Sequence, residues 1–231
     1  ENFVEGRILG CEFDSYYNSC FQITQGVPNA KVLIRDGEVQ LDLNADLEVA
    51  RNQDRATVGE HRVVVESNLK ELYDSARRVY DAEQSSLFLE NYGVDVLGAY
   101  APVDGVEVTC SPKIWNADDV FADLSEAIEA NTLALGSGVN EEGYFNLDLP
   151  VSSDVDVRFL NSRNWTKSYE VAPNDGNILI SKPVGNQPGL GILGFCYVPY
   201  HYVYDVRFPA MIQIYDNEEL FQFPVTVIVD N

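Results

Sequence analysis

The sequence predicts an α+β fold: a small antiparallel sheet with two helices, followed by a larger antiparallel β-sheet or sandwich. Three observations predict it. Alternating apolar residues flank Asp36-Gly37 near the start of the chain. Two stretches, 68–91 and 116–135, repeat apolar residues at helical spacing. Beyond residue 140, short strand-like runs separated by turn residues dominate. With 231 residues, 45% of them hydrophobic, the chain is long enough for a sizeable core. The Gly136–Gly143 stretch divides it into an N-terminal α+β half, 1–139, and a C-terminal β-rich half, 140–231.

The elements follow in order. Residues 1–30 read as irregular, with a loop between Cys11 and Cys20. Asp36-Gly37 between alternating apolar residues is a strong short-range hairpin signal. On its second arm Val39, Leu41 and Leu43 share a face, and Leu47 and Val49 continue it after a phase slip near Ala45. Three consecutive β-branched residues, Val63–Val65, place a third strand at 60–66. The first helix starts at Asn68 as N-cap, with Glu71 following in a capping-box position, and is expected to stop before Gly93. A short strand is expected at 106–110. The second helix begins at Asn116, with Asp118 and Asp119 near the positive end of its dipole. Strands are then expected at 144–149, 155–160, 168–171, 178–181, 195–208, 210–215 and 220–229, with turns at Asn174-Asp-Gly176 and Asp216-Asn217.

Charge and cysteines describe a setting. There are 37 acidic and 15 basic residues, a net charge of −22, spread along the chain. Nucleic-acid binding is excluded as a leading function, since phosphate contacts need a basic face. A diffuse acidic surface poor in Lys suits high salt, where a Debye length of about 3 Å screens self-repulsion. None of Cys11, Cys20, Cys110 and Cys196 forms a C-x-x-C, so zinc and thioredoxin-like readings fail. Four cysteines allow three pairings. Cys11–Cys20 closing a short loop and Cys110–Cys196 joining distant segments is favoured over four free thiols, and an oxidising, extracytoplasmic compartment follows. Asn164-Trp165-Thr166 fits the glycosylation acceptor pattern and points the same way. The chain opens at Glu1 without Met, which suits a removed leader or an upstream anchor helix.

No catalytic residue stands out. His61 and His201 are the only histidines, and no G-x-S-x-G is present. Asp154 and Asp156, on one face of an expected strand, are candidate cation ligands or the carboxylates of a glycoside hydrolase. Asp175, in Asn174-Asp-Gly-Asn177, sits in an oxygen-rich turn that suits Ca²⁺, against the simpler reading as a plain turn. Otherwise no cofactor is expected. Tyr200, Tyr202 and Tyr204 alternate along a strand and form a candidate contact face for protein or glycan, the competing reading being cross-strand packing. The uncharged loop 185–195, with Leu190, Ile192 and Leu193, is a candidate for partner contact or membrane insertion, or else a crossing between sheets.

Several segments carry a family resemblance: Leu72-Tyr-Asp-Ser-Ala76, Leu89-Glu-Asn-Tyr92, Ala99-Tyr-Ala-Pro102, Tyr204-Asp-Val-Arg-Phe-Pro209, Phe221-Gln-Phe-Pro-Val225 and the terminal Val229-Asp-Asn231. From about residue 30 onward the chain resembles a group of uncharacterised archaeal proteins with one N-terminal membrane helix and a large extracytoplasmic domain. The resemblance implies a cell-surface location, with membrane attachment only through a missing anchor segment; a protein or glycan partner at that surface is expected. It implies no reaction. The functional expectation is an interaction or structural module of a cell-surface protein adapted to high salt. The alternatives are a carboxylate-based hydrolase and a membrane-inserting surface protein.

Overall fold

The structure, a computed structural model, describes residues 1–136, 146–185 and 195–230. The chain separates into two compact units, Glu1–Asp74 and Ser75–Asn231. Both are built from helices and antiparallel sheets, the α+β class expected from the sequence. The division falls at residue 74 and not at 139/140, because the central helices pack against the C-terminal strands.

In the first unit the region expected to be irregular holds two short helices, α1 (Asn2–Leu9) and α2 (Asp14–Tyr17), and strand β1 (Gln22–Gln25). Strands β2 (Asn29–Arg35) and β3 (Glu38–Arg51) form the hairpin signalled by Asp36-Gly37. Gly37 takes φ +75°, where a side chain would be strained. β3 is the spine of a four-stranded sheet. β4 (Asp54–Glu66) pairs along one edge, and β2 and β1 lie end to end along the other. The register shifts between Asn44 and Leu47, which is the structural form of the phase slip near Ala45. This bulge turns Ala45 inward, where it is 2% exposed. β4 begins at Asp54 rather than at 60, after a tight turn in which Asn52 adopts φ 56°.

In the second unit the expected single helix over 68–91 is two helices. α3 (Leu69–Ser86), which starts in the first unit, stops at Leu87, whose φ of 52° is left-handed, and α4 (Phe88–Tyr100) follows. Gly93 does not end a helix. It lies within α4 where a Cβ would stand 2.8 Å from Val229 Cγ2, so the missing side chain lets α4 approach the sheet. α5 (Ala117–Ala134) starts where expected, with Asn116 Oδ1 accepting a hydrogen bond from the Asp118 N–H at 2.9 Å.

The main sheet of this unit is organised around β11 (Val203–Tyr215). β12 (Leu220–Val229) runs along one edge. β7 (Asp156–Leu160) and β8 (Ser168–Ala172) share the other. Tyr204, Val206, Phe208, Ala210, Ile212 and Ile214 of β11 are all buried on one face. Phe88 of α4 meets Phe159 edge-on at 5.8 Å, and Phe121 of α5 stacks on Tyr169 at 5.1 Å. The layer packed on that face is therefore helical and not the second sheet of a sandwich. Two short ladders complete the unit: β5 (Asp104–Glu107) with β10 (Val198–His201), and β6 (Lys113–Asn116) with β9 (Ile178–Ser181). The expected strand at 144–149 lies partly outside the described residues; of its remainder, Asn146 forms one bridge to Gly136.

Candidate functional site

The opposite face of the main sheet is open, and a break in its edge shapes it. β8 pairs with residues 203–207 of β11, and β7 with 211–215. Among the described residues, Phe208, Pro209 and Ala210 have no strand beside them on that edge. Proline belongs at such a gap, having no N–H to leave unpaired. Its carbonyl is taken by Asn161 Nδ2, which donates at 2.6 Å. The segment 161–167 crosses the gap as a tight loop. Arg163 ties it to α5 through Glu129 at 2.5 Å, and Lys167 Nζ donates to the Ser162 carbonyl at 2.6 Å.

A cleft of about 670 Å³ opens there. The loop wall supplies Asn164, Trp165 and Lys167. The floor supplies Arg207, Pro209 and Met211 of β11 with Thr226 and Pro224 across from them on β12. The lining holds two cations and no carboxylate. Partial burial lowers the Lys167 pKa, because a desolvated ammonium is disfavoured. Arg207 is exposed and makes no ion pair among the described residues. Trp165, 37% exposed, offers a ring edged by polar groups. Along the same face Arg158 Nε donates to Gln213 Oε1 at 2.6 Å, and Gln213 Nε2 donates to Gln222 Oε1 at 2.8 Å, so an amide ladder continues from the cleft. A flat apolar ring, side-chain amides and two cations together are chemistry that can hold a saccharide carrying carboxylates.

The residues singled out from the sequence fare differently. Asn164 is exposed on the rim of this cleft. Tyr202 and Tyr204 are 1% and 0% exposed and belong to the core, so the tyrosine row is no contact face. Tyr202 shares a hydrogen bond with Ser181 at 2.8 Å and packs edge-on to Trp115, and Tyr200 lies 5.1 Å from the same ring. Period-two alternation puts these tyrosines on one face, and Trp115 of β6 and Ser181 of β9, both against Tyr202, make that face an inner one. Leu190, Ile192 and Leu193 lie outside the described residues.

Cys110–Cys196 is formed, Cα atoms 4.8 Å apart, and clips β5 to β10. The expected Cys11–Cys20 bridge is not. Both are exposed free thiols, each held in its own turn: Cys11 Sγ donates to the Arg7 carbonyl, and the Cys20 N–H donates to the Tyr17 carbonyl. Asp154 precedes β7 in a turn while Asp156 begins the strand, so the two do not share a strand face. Asp175 closes a plain turn, exchanging backbone hydrogen bonds with Ile178. No group of three His, Cys, Asp or Glu suited to a metal is present among the described residues.

Two carboxylate sites carry no signal in the sequence. In the first unit, cross-strand rows Asn29–Asn44–Glu60 and Lys31–Asp42–Arg62 line a shallow cleft of about 540 Å³. The Arg62 guanidinium bound to Asp42 lowers that carboxyl's pKa, which leaves it unsuited to act as a general acid. In the second unit Glu83 is 3% exposed and lies against Glu90. Burial, then the neighbouring Glu90 carboxyl, push Glu83 up to about 8. Its Oε2 accepts from the Leu89 N–H at 3.2 Å and so caps α4 across the Leu87 break. Glu90 Oε1 in turn accepts from the Ile228 N–H at 3.3 Å. The pair lines neither cleft described above, and its contacts are structural.

No helix among the described residues is long and apolar enough to cross a membrane. Comparisons with protein-family models, with curated proteins and with solved structures give no match.

Proposed function

We propose that this chain is an extracytoplasmic interaction module of a cell-surface protein, and that it engages an acidic glycan through the Trp165–Lys167–Arg207 cleft. One observation carries the reading. In a chain with 37 acidic and 15 basic residues, this cleft is lined by Lys167 and Arg207 and by no carboxylate. Random placement in so acidic a chain would give the opposite sign. The Cys110–Cys196 disulfide supports an oxidising compartment, the Asn164 acceptor triplet is exposed where a glycan could be attached, and the archaeal resemblance supports a cell-surface location and, with the acidic excess, a high-salt setting.

Each element has a role in this reading. Trp165 stacks on the pyranose face, the Arg207 guanidinium forks onto a uronate carboxylate, and Lys167 gains a counter-charge for its half-buried ammonium. Calorimetric titration with an oligouronate and with a neutral oligosaccharide of the same length tests it. Binding of the first and not the second is expected, weakened about tenfold by Arg207→Ala, the loss of one charge-assisted contact. Equal affinity for both saccharides, or none for either, refutes it.

A further inference from the structure

The two outer strands of the first sheet are finished differently. Along β2 the edge is closed from within the chain: the Ala30 N–H donates to Glu5 Oε1 at 2.8 Å, and the Val32 N–H to Glu1 Oε1 at 3.3 Å, both carboxylates coming from the α1 segment. Among the described residues β4 has no such cover: no strand pairs with its outer edge, and every residue from Asp54 to Glu66 is exposed except Gly59 and His61, which are half-buried. Val63, Val64 and Val65 are 52%, 51% and 55% exposed. A long, β-branched edge without proline is a template for another strand, and natural sheets protect such edges unless they are used.

We infer that β4 pairs antiparallel with β4 of a second copy of this chain, about a two-fold axis through His61. Charge selects both the occupant and the register. With His61 opposite His61, each Arg62 lies opposite Glu60 of the second copy and each Val64 opposite Val58, twice over by symmetry. Moving the axis to residue 60 sets Glu60 against Glu60 and Glu66 against Asp54. Moving it to residue 62 sets Arg62 against Arg62. The strand is thus self-complementary in one register and self-repulsive in the two that flank it. Two copies each carrying −22 need such a local match to approach at all. Continuing the ladder joins two four-stranded sheets into one of eight strands. This surface is independent of the glycan cleft and of the reading built on it.

Sedimentation equilibrium of the whole chain at ~0.15 M ionic strength, where the Debye length is about 8 Å, tests the pairing. A species of twice the 25.8 kDa chain mass is expected. Glu60→Arg, which sets the introduced guanidinium against Arg62 at two places, is expected to weaken it at least about tenfold, with the melting temperature of the monomer preserved as a control on folding. A second measurement fixes the register. In a Cys11→Ser/Cys20→Ser background, His61→Cys brings two Cα atoms to about 4.5–5.5 Å, within disulfide range, and gives a cross-linked dimer on oxidation. Thr57→Cys, which falls opposite Val65, gives none. A monomer at every attainable concentration overturns the proposal. So does a dimer indifferent to Glu60→Arg, or one cross-linked equally at both positions.

Discussion

Replacing Glu83 by Gln should stabilise the protein at neutral pH, and by an amount that depends on pH. Glu83 is 3% exposed, and burial beside Glu90 raises its pKa from 4.5 to about 8. Between those two values the folded chain holds a proton that the unfolded chain has lost. Stability therefore falls as pH rises from 4.5 to 8, by about 1.4 kcal/mol per unit, and then levels. At pH 7 the accumulated cost is about 3 kcal/mol. The substituted glutamine reproduces the protonated carboxyl: its amide donates towards Glu90, its oxygen accepts from the Leu89 N–H, and it does not titrate. Urea unfolding of both proteins across pH 4–9 is the assay. The midpoints should coincide near pH 4 and diverge upwards, the Glu83→Gln variant being the more stable by roughly 3 kcal/mol at pH 7, equivalent to roughly 6–12 °C in melting temperature. A variant less stable at pH 7, or a difference that does not change with pH, refutes the argument that this carboxyl is protonated in the fold.

Other expectations test the packing and the setting. Gly93→Ala places a methyl 2.8 Å from Val229 Cγ2, so despite the better helix propensity of Ala it should destabilise by about 1–2 kcal/mol, read from the urea midpoint; a gain would show that α4 does not press on β12. Removing the disulfide with Cys110→Ser/Cys196→Ser opens a closure of 86 residues and should cost up to about 4.6 kcal/mol by chain entropy, while Cys11→Ser/Cys20→Ser should leave the midpoint unmoved. The net charge of −22 predicts a melting temperature that rises from dilute buffer to molar salt as repulsion is screened; a flat or falling trend contradicts the high-salt reading.

Local chemistry is readable from the sequence, and layer assignment is not. Asp36-Gly37, the slip at Ala45 and the Asn116 cap each depend on a few neighbouring residues, and each sits where expected. The break at Leu87 leaves no mark in the sequence because leucine is an ordinary helix residue; what secures the bend there is Glu83 reaching across to cap α4, a contact spanning six positions. Gly93 reads as a stop because a glycine that ends a helix and one that lets a helix approach a sheet look alike in sequence. Tyr202 and Tyr204 do share a face, but alternation cannot tell which face another layer will cover. Lys167 and Arg207 are forty positions apart and meet only because Ser168 registers with Arg207. One signal does mark the place: Pro209, in the middle of a strand, reads as a break between two strands when it marks a gap in the neighbouring edge.

The most direct test of the account uses the tryptophan in the cleft. With Trp115→Phe removing the second indole, Trp165 alone reports, and its fluorescence is followed as an oligouronate is added. The account predicts a saturable change that is abolished by Arg207→Glu and absent with a neutral oligosaccharide. A spectrum unmoved by the oligouronate, or a change that survives Arg207→Glu, would contradict it.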